Sequence, residues 1–211
     1  MPVLRPLPDR AAALLDTLDA PPRLVAHLRI VHDVACQLTD WCLRHYPALG
    51  FDRQAVLFGA ATHDIGKVRH LGEISSPGSA HEQAGYQILR AHGVEEHSAR
   101  FARTHASWRG SDITTEDLLV SLADKIWRGK REPGLEQLVI DQLAAARGQA
   151  SWMAFIALDE VLERIAAGAG ARLEFQLSHP VSVSAASANR VTRVGRATWI
   201  DEWPAVSQGL G

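Results

Sequence analysis

Six residues in the middle of the chain, His32, His63, Asp64, His81, His105 and Asp124, place imidazoles and carboxylates along a run of amphipathic segments, and no other feature constrains the fold as strongly. Five of them sit in stretches with helical periodicity, so helix geometry decides which side chains share a face. From Leu24 to His45 the apolar positions Leu24, Leu28, Val31, Ala35, Leu38 and Cys42 recur at helical spacing. His32, four after Leu28 and three before Ala35, is expected at the edge of the core.

The other five follow the same logic. Phe51-Asp52 reads as a staple residue and N-cap for a helix from about Arg53 to Asp64, ended by Gly66. Asp64 lies on the face of Ala60 and Ala61, where small residues admit another helix, and His63 is rotated from it by roughly 100°. Ser79 to Glu82 has capping-box spacing for a helix running to His92, with His81 in its first turn and Gly85 beneath. His105 extends an apolar stripe from Phe101 near the end of the next helix. Asp124 sits in an otherwise apolar run from Leu118 to Trp127, where a buried carboxylate needs a cation, a basic partner or a rich hydrogen-bond shell.

Helical pattern dominates from Ala11 to about Ala167, with punctuation at Pro21-Pro22, Gly50, Gly93, Gly110, Pro133-Gly134 and Gly148, which makes an all-α bundle the expected fold class. A length of 211 residues supports one substantial domain, and a net charge of −2 gives no electrostatic footprint for broad nucleic-acid binding. Cys36 and Cys42, six apart within one helical stretch, cannot easily bridge each other and read as thiols of a reducing cytosol. The N-terminus carries Pro2, Pro6 and Pro8 and lacks an apolar run long enough for a signal peptide or a membrane span, so a cytoplasmic protein is expected.

The text Ile30-Val31-His32-Asp33, Ala60-Ala61-Thr62-His63-Asp64-Ile65-Gly66-Lys67, His81-Glu82-Gln83-Ala84-Gly85, Thr104-His105 and Leu122-Ala123-Asp124-Lys125 resembles the HD-domain superfamily of metal-dependent phosphohydrolases over roughly residues 20–130. The two extra histidines resemble its dinuclear branch, which includes symmetrical dinucleoside tetraphosphate hydrolases and cyclic dinucleotide phosphodiesterases. The resemblance implies one metal on His32, His63, Asp64 and Asp124, and a second on His81, His105 and a bridging Asp64. The HD-type helical domain is expected over residues 1–170, with its metal-site core at about 20–130, and 171–211 as a C-terminal extension.

Mixed nitrogen and carboxylate donors suit iron, manganese, zinc or nickel, and two such divalent ions, iron favoured, are the expected cofactors. Such a pair can hold a bridging water as hydroxide and bind two phosphate oxygens, so no protein nucleophile is required. Asp64 and Lys67 are the expected catalytic residues. Lys67, His70, Arg109, Lys125 and Arg128 are the expected substrate contacts, the alternative for each cation being a solvated surface charge. Glu73 and Glu82 share that neighbourhood as proton donors or orienting groups. The substrate expected is a small phosphorylated molecule, a nucleotide above all. Two other readings share the ligand set: a mixed-valent diiron oxygenase of the same superfamily, and a nucleotide-binding sensor module.

The last third carries less chemistry. Pro133 to Arg147 and Ser151 to Ala167 read as amphipathic buttressing helices, the second with Ser151 as N-cap and Trp152, Phe155, Ile156, Leu158 and Leu162 as packing residues. After Gly168-Ala169-Gly170 the pattern fades toward a Ser/Ala-rich stretch and a tail with Trp199 and Trp203, which could dock on the chain itself or in a homodimer. His27, His45, His92, His97 and His179 read as ordinary surface or helix-end imidazoles.

Overall fold

The computed structural model describes residues 2–110 and 112–182. Every regular element among them is helical: α1 (Asp9–Thr17), α2 (Pro22–His45), α3 (Arg53–Thr62), α4 (Ala80–Ala91), the short α5 (Glu96–Ala99) and α6 (Phe101–Thr104), α7 (Thr115–Ile126), α8 (Pro133–Arg147), α9 (Ser151–Ala166) and α10 (Ala169–Leu177). Two 3-10 turns, Ile65–Val68 and Leu71–Ile74, link α3 to α4. The expected all-α bundle is therefore the fold. No helix among the described residues is long and apolar enough to cross a membrane.

Helix α2 is the axis of the bundle and packs against α3, α7, α9 and α10. Pro22 in its first turn supplies a preset φ where no N–H is needed, and Arg44 and His45 complement the dipole at its other end. Its side chains enter two apolar clusters: Ile30, Val31, Val34 and Leu38 join the larger one with α3, α7, α8 and α9, while Leu24 and Leu28 join a smaller one with Ile65, Leu89 and Ala102. Asp52 caps α3 as expected, accepting from the backbone N–H groups of Gln54 and Ala55. Helix α7 opens on a reciprocal capping box between Thr114 and Asp117.

Local expectations fail where a contact from elsewhere takes over. Gly66 does not end α3; it lies inside the first 3-10 turn, where α4 approaches so closely that a Cβ would fall on the carbonyl oxygen of His81 and crowd the backbone nitrogen of Gly85. Ser79 makes no side-chain cap bond at the start of α4. The caps come from Glu73, whose carboxylate accepts from the N–H groups of Ala80 and His81. Ser151 is the first residue of α9 rather than its cap, which is Ala150.

Trp152, Phe155 and Ile156 do not pack: they are 64%, 50% and 48% exposed, and the buried stripe of α9 is Ala154, Leu158, Val161, Leu162 and Ile165. Leu158 and Leu162 lie on that stripe as expected. Where the pattern was expected to fade, α10 forms instead and crosses the boundary placed at residue 170. Its guanidinium Arg172 is buried and donates to the carbonyls of Trp127 and Ile165, fastening α10 to the ends of α7 and α9. The Ser/Ala-rich stretch and the tail tryptophans lie outside the described residues.

Candidate metal centre

The end of α3, the first turn of α4, the residue after α6, the last turn of α7 and the second turn of α2 converge on one point, each contributing an imidazole or carboxylate. Two groups of ligand atoms result, His27 with His63 and Asp124, and Asp64 with His81 and His105, and within each group the atoms lie within 4.8 Å of one another. Asp64 joins the two groups through its separate oxygens. Its Oδ2 is 3.1 Å from His27 Nε2 and 3.7 Å from His63 Nε2, while its Oδ1 is 3.0 Å from His81 Nε2 and 3.6 Å from His105 Nε2. Asp124 Oδ1 stands 3.4 Å from His63 Nε2 and 3.8 Å from His27 Nε2.

Five of the six expected ligands, His63, Asp64, His81, His105 and Asp124, are thus brought together; the sixth, His32, is not. It is buried elsewhere, its Nε2 3.6 Å from Cys36 Sγ one turn along α2, with its pKa pushed down to about 4 chiefly by burial. His27 takes the place assigned to His32. The two are five residues apart on one helix, a rotation of about 140°, so only one can face the cluster. Both abut apolar positions, and periodicity along α2 alone does not separate them. The aromatic edge of Trp127, 5.2 Å from the His27 ring, is a tertiary contact that helps seat His27 against the cluster.

Backbone and carboxylate acceptors orient the rings. The Nδ1 of His63 lies 3.0 Å from the carbonyl of Ala60 and that of His105 3.2 Å from Phe101, so an Nδ1–H donated there turns the Nε2 lone pair inward. His81 Nδ1 faces Glu73 Oε2 at 2.5 Å. Its Nε2, buried and near Asp64 Oδ1, makes no hydrogen bond of acceptable angle. Two electron-rich atoms converging without a hydrogen bond between them fit a shared cation. Burial lowers the pKa of His27, and burial with help from His63 brings His105 down to about 4, so both rings are neutral donors. Burial opposes the charge on Asp64, yet His63, His27, His81 and Lys67 hold its carboxyl well below the ordinary range. Neutral imidazoles beside ionised carboxylates are the donor set that borderline divalent metals take, and the residues present fit such an ion.

The cluster floors a cleft of about 480 Å³. Lys67, Lys125 and Arg128, three of the expected substrate contacts, line it, with Arg23 as a cation sequence reasoning missed. Lys67 Nζ is 2.5 Å from Asp64 Oδ2 and Lys125 Nζ 2.7 Å from Asp124 Oδ2, so neither is the free surface charge of the alternative reading. His70 and Arg109 are not among the lining residues; Arg109 reaches toward Gly134 at the start of α8 instead. Glu73 and Glu82 do line the cleft, together with Leu24, Ile74, Trp127 and Gln176.

A cluster of histidines and aspartates where five helices meet, arranged so that it could hold metal ions, defines an all-helical domain with a candidate metal centre. Residues 25–129 match the HD domain family, and the chain carries an HD domain there. The match spans the cluster from His27 to Asp124 but ends before α8, α9 and α10. No curated protein and no solved structure matches the chain.

Proposed function

We propose that this protein is a metal-dependent phosphohydrolase with a dinuclear centre, cleaving a phosphoester or phosphoanhydride of a small molecule, a nucleotide above all. The observation that carries the reading is the position of Asp64, whose two oxygens face opposite ligand groups. One ion would be held by His27, His63, Asp124 and Asp64, the other by His81, His105 and the same Asp64. Divalent cations bound there supply Lewis acidity that activates water and neutralises phosphate charge.

The chain's own residues supply binding and orientation. Lys67 and Lys125 sit over the two aspartates and bring positive charge to the floor of the cleft where a phosphate would lie, and Arg128 extends that field outward. Beyond them the cleft reaches Arg23, anchored by its Nε to the carbonyl of His179, and Gln176, whose side-chain oxygen is buried without a partner among the described residues. A group that hydrogen-bonds, such as a base or sugar, suits that end. Leu24 and Trp127 supply apolar wall between the two ends.

The test is metal analysis of protein purified without oxygen, iron being the ion favoured, followed by phosphate release from a nucleotide panel in ¹⁸O-labelled water. Two ions per chain, with solvent oxygen in the phosphate and undiminished turnover under anaerobic conditions with manganese, is the expected result. Turnover that requires dioxygen and iron together would assign the same ligands to an oxygenase. Nucleotide binding with neither metal nor turnover would leave the sensor reading.

A further inference from the structure

We infer that Glu73 is a positioning residue that sets the affinity of the second ligand group, and that Gly78 exists to make room for it. The inference rests on the metal-centre reading above and assigns a role that the motif residues do not include. Glu73 stands in the second 3-10 turn, eight residues before His81, on a rim that lines the cleft through Ile74, Ser75 and Ser76. Its carboxylate meets three donors. Oε1 accepts from the N–H of Ala80 at 3.2 Å, and Oε2 accepts from the N–H of His81 at 3.1 Å and lies 2.5 Å from His81 Nδ1.

One side chain therefore caps the start of α4, where Ser79 makes no side-chain bond, and also settles which nitrogen of His81 carries the proton. An acceptor-only carboxylate against Nδ1 requires Nδ1–H, leaving the Nε2 lone pair directed at Asp64 Oδ1. His63 and His105 achieve the same orientation with backbone carbonyls of their own helical turns. Only at His81, among the imidazoles of the cluster, is the acceptor a side chain from a separate element. A carboxylate is also the acceptor that most raises the donor strength of the ring.

Gly78 closes the argument. A Cβ on it would overlap Oε1, Cδ and Cγ of Glu73. That end of a side chain would ordinarily swing aside, but here it is held by the three contacts just described, so moving it abandons them.

The full chain, stripped of metal and titrated with zinc against a competing chelator, is expected to bind in two steps. Outer carboxylate partners of this kind set affinity by 10–100-fold. Glu73→Gln should therefore weaken the second step by about that factor and leave the first within about twofold, with Glu73→Asp recovering part of the loss. Gly78→Ala should reproduce the Glu73→Gln result with the glutamate still present. At a pH high enough for the His81 ring to be neutral, imidazole ¹⁵N shifts should show the Nδ1–H tautomer in the parent chain and a mixture in Glu73→Gln and Gly78→Ala.

An unchanged second step in Glu73→Gln overturns the inference. So does equal weakening of both steps, which would mean the carboxylate is only scaffolding for α4. A His81→Ala chain that still binds two zinc ions would instead bring down the underlying assignment of the second ligand group, whatever Glu73 does.

Discussion

His27 and His32 lie on the same helix, and a rotation of about 140° between them decides which one can face Asp64 and Asp124. His27→Ala removes a donor 3.1 Å from Asp64 and should cost bound metal and phosphate release together. His32→Ala should keep both and lose only packing, about 1–3 kcal/mol of stability, because its ring is buried against Cys36. Metal content of the two purified variants separates them directly; metal loss in His32→Ala alone would reverse the assignment. Gly66 is the other position where one atom decides. Its α-hydrogen faces the His81 carbonyl, and backbone cannot swing aside as a side chain can. Gly66→Ala should displace α4 and cost roughly 1–3 kcal/mol in denaturant unfolding, with weaker metal binding at His81 as its second readout.

Among the elements, α7 carries the clearest electrostatic anchor. Asp117 is buried in its first turn and accepts from Thr104 Oγ1 at 2.6 Å, from Arg100 Nε and Nη2 at 3.1 Å, and from the Thr114 N–H and hydroxyl. Burial pushes its carboxyl up, but the bonds from Thr104, Arg100 and Thr114 prevail and hold it below the ordinary value of 3.8. A depressed folded pKa stabilises fully above the unfolded pKa and is lost as pH falls through the folded one. The stability gap between the parent chain and Asp117→Asn should thus be constant at neutral pH and shrink below about pH 4 in acid titrations followed by circular dichroism. A gap that widens in acid would contradict the sign. The outer face of α9 makes the opposite prediction. Trp152 and Phe155 are exposed on a helix whose buried stripe is complete without them, so Trp152→Gln or Phe155→Gln should shift unfolding by no more than about 0.5 kcal/mol.

At the scale of the whole molecule, the HD domain supplies the floor of the cleft and the elements after it supply a wall. Helix α10 and the residues just after it are tied to α2 through Arg23, whose side chain donates to the carbonyls of His179 and Leu177 and whose backbone N–H donates to the carbonyl of Pro180. Gln176 faces the cleft from that wall. A contact remote from the reacting phosphate binds substrate and transition state alike, so Gln176→Ala should raise KM with kcat nearly unchanged. A fall in kcat at constant KM would place Gln176 in the chemistry. Arg172, buried between the carbonyls of Trp127 and Ile165, holds this wall in place.

Much of this was legible without coordinates, because it depends on local rules. Asp52 caps its own helix, Pro133 and Arg147 bound α8, and His63, Asp64, His81, His105 and Asp124 sit at helix ends or on faces that periodicity locates and that the family resemblance singles out. What stayed hidden depends on atoms distant in the chain. The choice of His27 over His32 needs the direction from which α3 and α7 meet α2. The capping of α4 by Glu73 overrides a local Ser79 signal through a loop, and the partnership of α10 with Arg23 spans more than 150 residues. Helical periodicity is a property of neighbours three and four residues apart, so the sequence by itself determined most of the helices up to α9, and the family resemblance named five of the residues that the structure brings into the cluster. Rotation about a helix axis and contacts between separate elements belong to packing, and only the tertiary structure could decide which α2 histidine joins the cluster and what walls the cleft.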